Sequence, residues 1–317
     1  MCSPSVRFAA VFVVAAVAVQ ARPQRVDPER LLAERFQFSA ADVSQVRAGA
    51  PVVKVTSQGD ELSIVGASRL PGGKERLAGW VKNIEHFRRS AELGVAQVVA
   101  TPPAPAGFAG LTLDQADLDA LETCTANKCD IRLSPTAEAA LRRDGVSRAN
   151  AIFRQLLVEE TAAYLEKGKG PETHALLQRA ATLGALAPEL VAFFDRYPAA
   201  TLPSSDQLFY WSSTPAGSVS IVSVHHLVLY RPRADETWIV DRNVYASRYF
   251  DAGVLVIGLY DAPDGTGFYA VAGSRVRVSR LNSAAGMVLR RQIQRSAADT
   301  VKMYLEWMRD SLAAVTP

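Results

Sequence analysis

The sequence predicts an α+β protein, an antiparallel sheet covered by a long C-terminal helix and interrupted by a mainly helical insertion. Three patterns carry that expectation. Strands dominate from Phe209 to Leu281 (QLFYWSS, SVSIVSVHHLVLY, TWIVDRNVYASRY, GVLVIGLYDA and GFYAVAGSRVRVSRL), with ADE and APDGTG as the clearest turns. From about Ser283 to Leu312 the chain reads as one helix: Leu289, Ile293, Ala297, Val301, Tyr304, Met308 and Leu312 form an apolar stripe, and Arg290, Arg291, Gln294, Lys302 and Arg309 a wetter side. Before both lies an alanine-rich stretch near 111–200, punctuated by Gly145, Gly168, Gly170, Gly184 and Pro188, that reads as consecutive helices. The terminal stripe must bury itself, and the preceding strands are its natural partner.

Taken in order, MCSPSVRFAAVFVVAAVAVQARPQ sets Arg7 ahead of an unbroken apolar run of 12 residues, Phe8 to Val19. Crossing a bilayer takes roughly 20 residues. The run therefore suits a signal peptide, residues 1–21, cleaved after Ala21 in Val19-Gln20-Ala21, with an uncleaved anchor as the alternative. Export to the periplasm or beyond is expected. DPERLLAERF reads as a helix capped by Asp27 with Pro28 at its first position, and SAADVSQVRAG shows a capping-box pattern of Ser39 with Asp42. These fill an N-terminal helical segment, 22–51. PVVKVTSQGDELSIVGASRL follows as a hairpin turning at Ser57 to Asp60. PGGKERLAGWVKNIEHFRRS reads as one helix through Leu77, Trp80, Val81, Ile84 and Phe87, and VAQVVATPP as a strand stopped by Pro102 and Pro103. In the middle, Asp114 and Ser134 are expected caps, and SRANAIFRQLLVEETAAYLEKG, PETHALLQRAATLG and PELVAFFDRYP further helices.

The 317 residues suffice for a sizeable core, and 49% hydrophobic with 21% charged residues excludes general disorder. A net charge of +3 with no long basic run gives no footprint for nucleic acid. After export the mature chain keeps Cys124 and Cys129 in CTANKCD, an expected disulfide across a short loop, with free thiols or a metal as alternatives. No cofactor is called for. Gly-x-Ser-x-Gly, His-Glu-x-x-His and calcium-loop motifs are absent, and Gly-x-Gly-x-x-Ala in DGTGFYA lies between strands, where it reads as a turn.

ELSIVGASRLPGGKERLAGWVKNIEHF at the front, with YASRYFDAGVLVIGLYD and LNSAAGMVLRRQIQRSAADTVKMYLEWM at the back, resembles the START-like or polyketide-cyclase-like superfamily, the helix-grip (SRPBCC) proteins. The resemblance is one of element order. It implies a curved sheet closing with the long helix around an apolar cavity for lipids, sterols, polyketides or similar molecules. On that basis residues 52–110 and 205–317 form the two parts of a helix-grip domain around an insertion at 111–204, where such proteins ordinarily continue with strands.

His225 and His226 are consecutive in a strand, so their rings point to opposite faces and cannot readily share one metal. Val222, Val224, His226, Val228 and Tyr230 make one parity almost wholly apolar, so His226 is expected inward, as a structural histidine or a polar group in a ligand cavity. YASRYFDA offers Tyr245, Arg248 and Tyr249 as ligand contacts, with an Arg248–Asp251 turn ion pair as the structural reading. Trp211 in FYWSS is a further candidate lining residue, with core packing as its other fate, and His86 and His174 read as surface residues. Arg275 and Arg277 share a strand face in a run without acids, able to meet an anionic membrane surface or simply to face water. The leading expectation is an exported binder of an apolar or amphipathic small molecule, with no catalytic residue assigned. The alternatives are an envelope enzyme of cyclase, hydratase or hydrolase type using His226 with Tyr245 or Asp251, and an interaction protein docking a partner on its helical middle, 135–200.

Overall fold

The computed structural model describes residues 26–123, 131–168, 176–177, 187–216, 219–278 and 284–314, with 284–293 and 296 as backbone only. The expected signal peptide, the Cys124–Cys129 pair, His174 and the side chains of Leu289, Ile293, Arg290 and Arg291 lie outside the described residues.

The front of the chain forms as its local chemistry dictates. Asp27 accepts from the Glu29 and Arg30 amides to open α1 (Pro28–Phe36). Ser39 and Asp42 exchange side-chain and backbone bonds in a capping box at α2 (Ala40–Arg47). A hairpin joins β1 (Val52–Gln58) to β2 (Glu61–Leu70), with Gln58 opposite Glu61. The single helix expected next is two, α3 (Lys74–Lys82) and α4 (Ile84–Ser90), because Asn83 leaves the helical region at φ −93° and ψ 60°. On either side of that bend Leu77, Ala78 and Val81, then Ile84 and Phe87, are buried in the same core.

After β3 (Val95–Val99), the helical middle contributes α5 (Gln115–Glu122, capped by Asp114), α6 (Pro135–Asp144, capped by Ser134), α7 (Ala149–Lys167) and α8 (Pro188–Arg196). Five strands follow: β4 (Ser205–Ala216), β5 (Val219–Arg233), β6 (Glu236–Ala246), β7 (Ala252–Asp261) and β8 (Phe268–Arg277). The chain ends with α9 (Ala284–Ala314).

All eight strands join one curled, open antiparallel sheet in the order β1-β2-β8-β7-β6-β5-β4-β3. β2, early in the chain, pairs along its length with β8, far later in the sequence. The turn between β7 and β8 needs glycine: Gly267 sits at φ +79°, and a Cβ there would lie 2.2 Å from the Leu70 carbonyl oxygen.

Alternation splits the sheet's side chains between two cores. On one face Tyr210, Leu227, Leu229, Ile239, Leu259, Phe268 and Ala270 pack against α3, α4 and α9 through Leu77, Phe87, Leu305, Met308 and Leu312. Trp307 meets Trp80 and Phe87 at ring distances of 5.9 and 5.4 Å. On the other face Trp238, Val240, Val254 and Val256 pack with α1, α2 and α8, and Phe209, Trp211, Val222 and Val224 with α6 and α7. The predicted architecture, a curved antiparallel sheet with the long helix on one side and inserted helices, is the one observed. Among the described residues, no helix is long and apolar enough to cross a membrane.

Candidate functional site

A cleft of about 290 Å³ opens on the α9-side face of the sheet. It is lined by the apolar Ile221, Phe250, Leu255 and Val276 and by the polar Ser212, Ser223, His225, Asp241, Asn243, Ser274 and Arg88. At that volume it lies at the small end of ligand pockets, which run from roughly 300 to 1,000 Å³.

The polar lining follows from register. Tyr210 on β4 stands opposite His225 on β5, and His225 opposite Asn243 on β6. Ser212 and Asp241 are then the diagonal same-face neighbours of His225 on its two flanking strands, within reach of long side chains. His225 Nε2 lies 3.0 Å from Ser212 Oγ and its Nδ1 2.9 Å from Asp241 Oδ1. Tyr210 donates its hydroxyl to Asp241 Oδ2 at 2.5 Å, and its ring stacks on His225 at 4.4 Å and 5°. The register skips Val244 between the pairs Val224–Tyr245 and His225–Asn243, a β-bulge beside the cleft. The extra residue turns Tyr245 to the opposite face, where it joins Phe153 in the core under α7.

Burial pulls the Asp241 carboxyl upward, but the His225 ring, the hydrogen bonds from His225 and Tyr210, and the Arg88 charge outweigh it and hold the group below its ordinary range. Tyr210 is wholly buried and pushed well above its usual value, so it is neutral and donates. With Asp241 ionised, the Nδ1–H of His225 donates to it, and Nε2 faces the Ser212 hydroxyl. Arg88 donates Nη2 to the Leu93 carbonyl and Thr214 Oγ1, while its buried Nε–H has no partner among the described residues.

The residues singled out in the sequence lie elsewhere. His226 is fully buried on the opposite face, hydrogen-bonded to the Tyr164 hydroxyl at 2.8 Å and to Gln207 at 3.1 Å, and enclosed by Phe193, Phe194, Tyr197 and Phe209. Burial, helped by the neighbouring Arg242 charge, lowers its pKa to about 3. Trp211 is 1% exposed and donates Nε1–H to the Gly107 carbonyl. Tyr245 donates its hydroxyl to the Arg132 carbonyl. Tyr249 is exposed, at φ +61°. Arg248 pairs with Asp117 at 2.6 Å rather than with Asp251, which Arg132 holds at 2.7 Å. His226 and Asp251 therefore do not converge.

Arg275 and Arg277 lie in a run without acids in sequence. The acid is Glu61 on the neighbouring strand β2, 3.4 and 3.2 Å away. Among the described residues no group of three or more His, Cys, Asp and Glu side chains could hold a metal ion.

Sequence reasoning passed over Ser212, His225 and Asp241 because it took the more apolar parity of β5 as the cavity side. A usable signal was present: TWIVDRNVY places consecutive Asp241 and Arg242 inside an apolar strand, one to each face. Arg242 is indeed fully buried opposite the cleft, its guanidinium 5.4 Å from the Phe194 ring and 5.8 Å from the Tyr164 ring.

No family model matches the sequence, and none of the curated proteins matches it. Among solved structures, the di-domain ARO/CYC StfQ from the steffimycin biosynthetic pathway is similar over 56% of this chain, at 13% identity and a TM-score of 0.26. The chain spans 62% of that protein's length. The di-domain ARO/CYC BexL from the BE-7585A biosynthetic pathway is similar over 91% of this chain and 94% of its own, at 13% identity and a TM-score of 0.25.

Proposed function

We propose that this chain is an exported protein that binds a short amphipathic molecule in the cleft on the α9 side of the sheet. One observation carries the reading: a small concavity lined by apolar side chains also holds a cluster of polar groups around a 15% exposed imidazole. Such a site favours a molecule with an apolar body and one hydrogen-bonding end. The volume favours a short chain over a sterol or a full lipid. Export rests on the Arg7 and Phe8–Val19 pattern.

Titration calorimetry with octanoic acid, octanol and an octyl ether tests the reading. Saturable binding to the wild type is expected. Leu255→Trp, which fills the cleft, should abolish it, and Tyr249→Ala, outside the cleft lining, should leave it unchanged. Absence of binding by all three probes, or binding indifferent to Leu255→Trp, refutes the assignment.

A further inference from the structure

We propose that Ser212, His225 and Asp241 form a nucleophilic relay that hydrolyses short amphipathic esters in this cleft, an inference that rests on the binding reading above. The distances are those of an acyl-transfer relay: base to hydroxyl at 3.0 Å and base to carboxylate at 2.9 Å. Orientation agrees with them. Asp241 fixes the proton on Nδ1, the lone pair of Nε2 faces Ser212 Oγ, and the Tyr210 ring at 4.4 Å holds the imidazole plane. Tyr210 also donates to the second carboxylate oxygen, so Asp241 is gripped from both ends. Three adjacent strands supply the three residues, a rigid platform of the kind a catalytic group requires.

A relay serving structure alone would end in closed packing, as that of His226 does on Tyr164 and Gln207. This one ends on Ser212, which is itself only 1% exposed but is one of the residues that line the cleft, beside the 15% exposed His225 ring.

The chemistry balances with water as the only co-reactant. Ser212 Oγ bonds to the ester carbonyl carbon as its proton passes to His225 Nε2. Asn243, opposite His225 in the sheet and in the cleft lining, is assigned as the donor to the oxyanion. The bond to the leaving alkoxide breaks, and that oxygen takes the proton from Nε2 and departs as an alcohol. Water then attacks the acyl carbon and gives a proton to Nε2. The bond to Oγ breaks, Oγ recovers the proton, and the carboxylic acid leaves. Ser212 is the nucleophile and His225 the general base; Asp241 and Tyr210 are positioning residues.

The test uses the full mature chain, a short alkyl fluorophosphonate, 4-nitrophenyl hexanoate, and an octyl ether that cannot be hydrolysed. The fluorophosphonate is expected to add covalently to Ser212, located by peptide mass mapping, and the ester to turn over. Ser212→Ala should abolish both with an unchanged circular dichroism spectrum. His225→Asn should slow turnover by about 100-fold or more. Asp241→Asn should lower kcat with little change in KM. Ether binding by the wild type without an adduct on Ser212 and without ester turnover overturns the relay and leaves the binding reading standing. Loss of ether binding as well overturns both. Ester turnover that survives Ser212→Ala overturns the assignment of the nucleophile.

Discussion

Two neighbouring histidines have opposite fates because a strand sends successive side chains to opposite faces. His226 is sealed among aromatic rings with both nitrogens occupied, so its replacement leaves buried partners behind. His226→Ala should cost about 2–4 kcal/mol in urea denaturation, combining unpaired polar groups with a cavity. The Arg248–Asp117 pair is the second place where one residue matters. Its side chains are 6% and 3% exposed, and burial lifts the Asp117 carboxyl above its ordinary value against the pull of Arg248. Asp117→Asn, which leaves the guanidinium uncompensated, should cost about 3–5 kcal/mol, whereas the double change Asp117→Leu with Arg248→Met should recover most of that loss. Equal destabilisation of single and double variants would contradict the pairing.

At the scale of elements, α9 comes close to the sheet because β2 carries Gly66 beneath it. A Cβ there would lie 2.8 Å from Val301 Cγ1 and 3.3 Å from Leu305 Cδ1, inside normal contact. Gly66→Val should therefore lift the helix and destabilise the protein by about 1–3 kcal/mol, with faster amide exchange confined first to α9. Exchange spread evenly over the sheet would argue against that contact. Much of this level was legible in the sequence. Asp27, Ser39, Asp114 and Ser134 announced their helices because capping is local chemistry. The stripe of Val301, Tyr304, Met308 and Leu312 announced a buried face, and those residues belong to the core over β2. The bend at Asn83 was not legible: the apolar spacing runs straight through it, and only the shape of the core demands the turn.

For the molecule as a whole, the sheet has two dressed faces, and the sequence could not say which holds the cleft. Parity separated His225 from His226 correctly, but the apolar parity proved to be the one filled by α7 and α8. Partners set by register were equally hidden, as with Glu61 serving Arg275 and Arg277 from a strand more than 200 residues earlier. Global stability should carry the mark of the sealed face. The pKa of His226 is about 3 in the folded chain and about 6.5 when exposed, so the unfolded state binds the extra proton between those values. This contribution is fully present above pH about 6.5 and is lost as pH falls toward 3, at up to about 1.4 kcal/mol per pH unit. Urea midpoints from pH 7 down to 4.5 should fall less steeply for His226→Gln than for the wild type. Identical slopes would mean that the ring takes up its proton in the folded state.

The central claim is that the ligand site lies around His225 and not His226. It is tested most directly by long-range proton–nitrogen NMR of the histidine rings, assigned with His225→Asn, during titration with the octyl ether. Saturable shifts of the His225 Nε2 signal are expected as the ether binds, with His226 unmoved. Saturation that leaves His225 unchanged, or that shifts His226 instead, would contradict it.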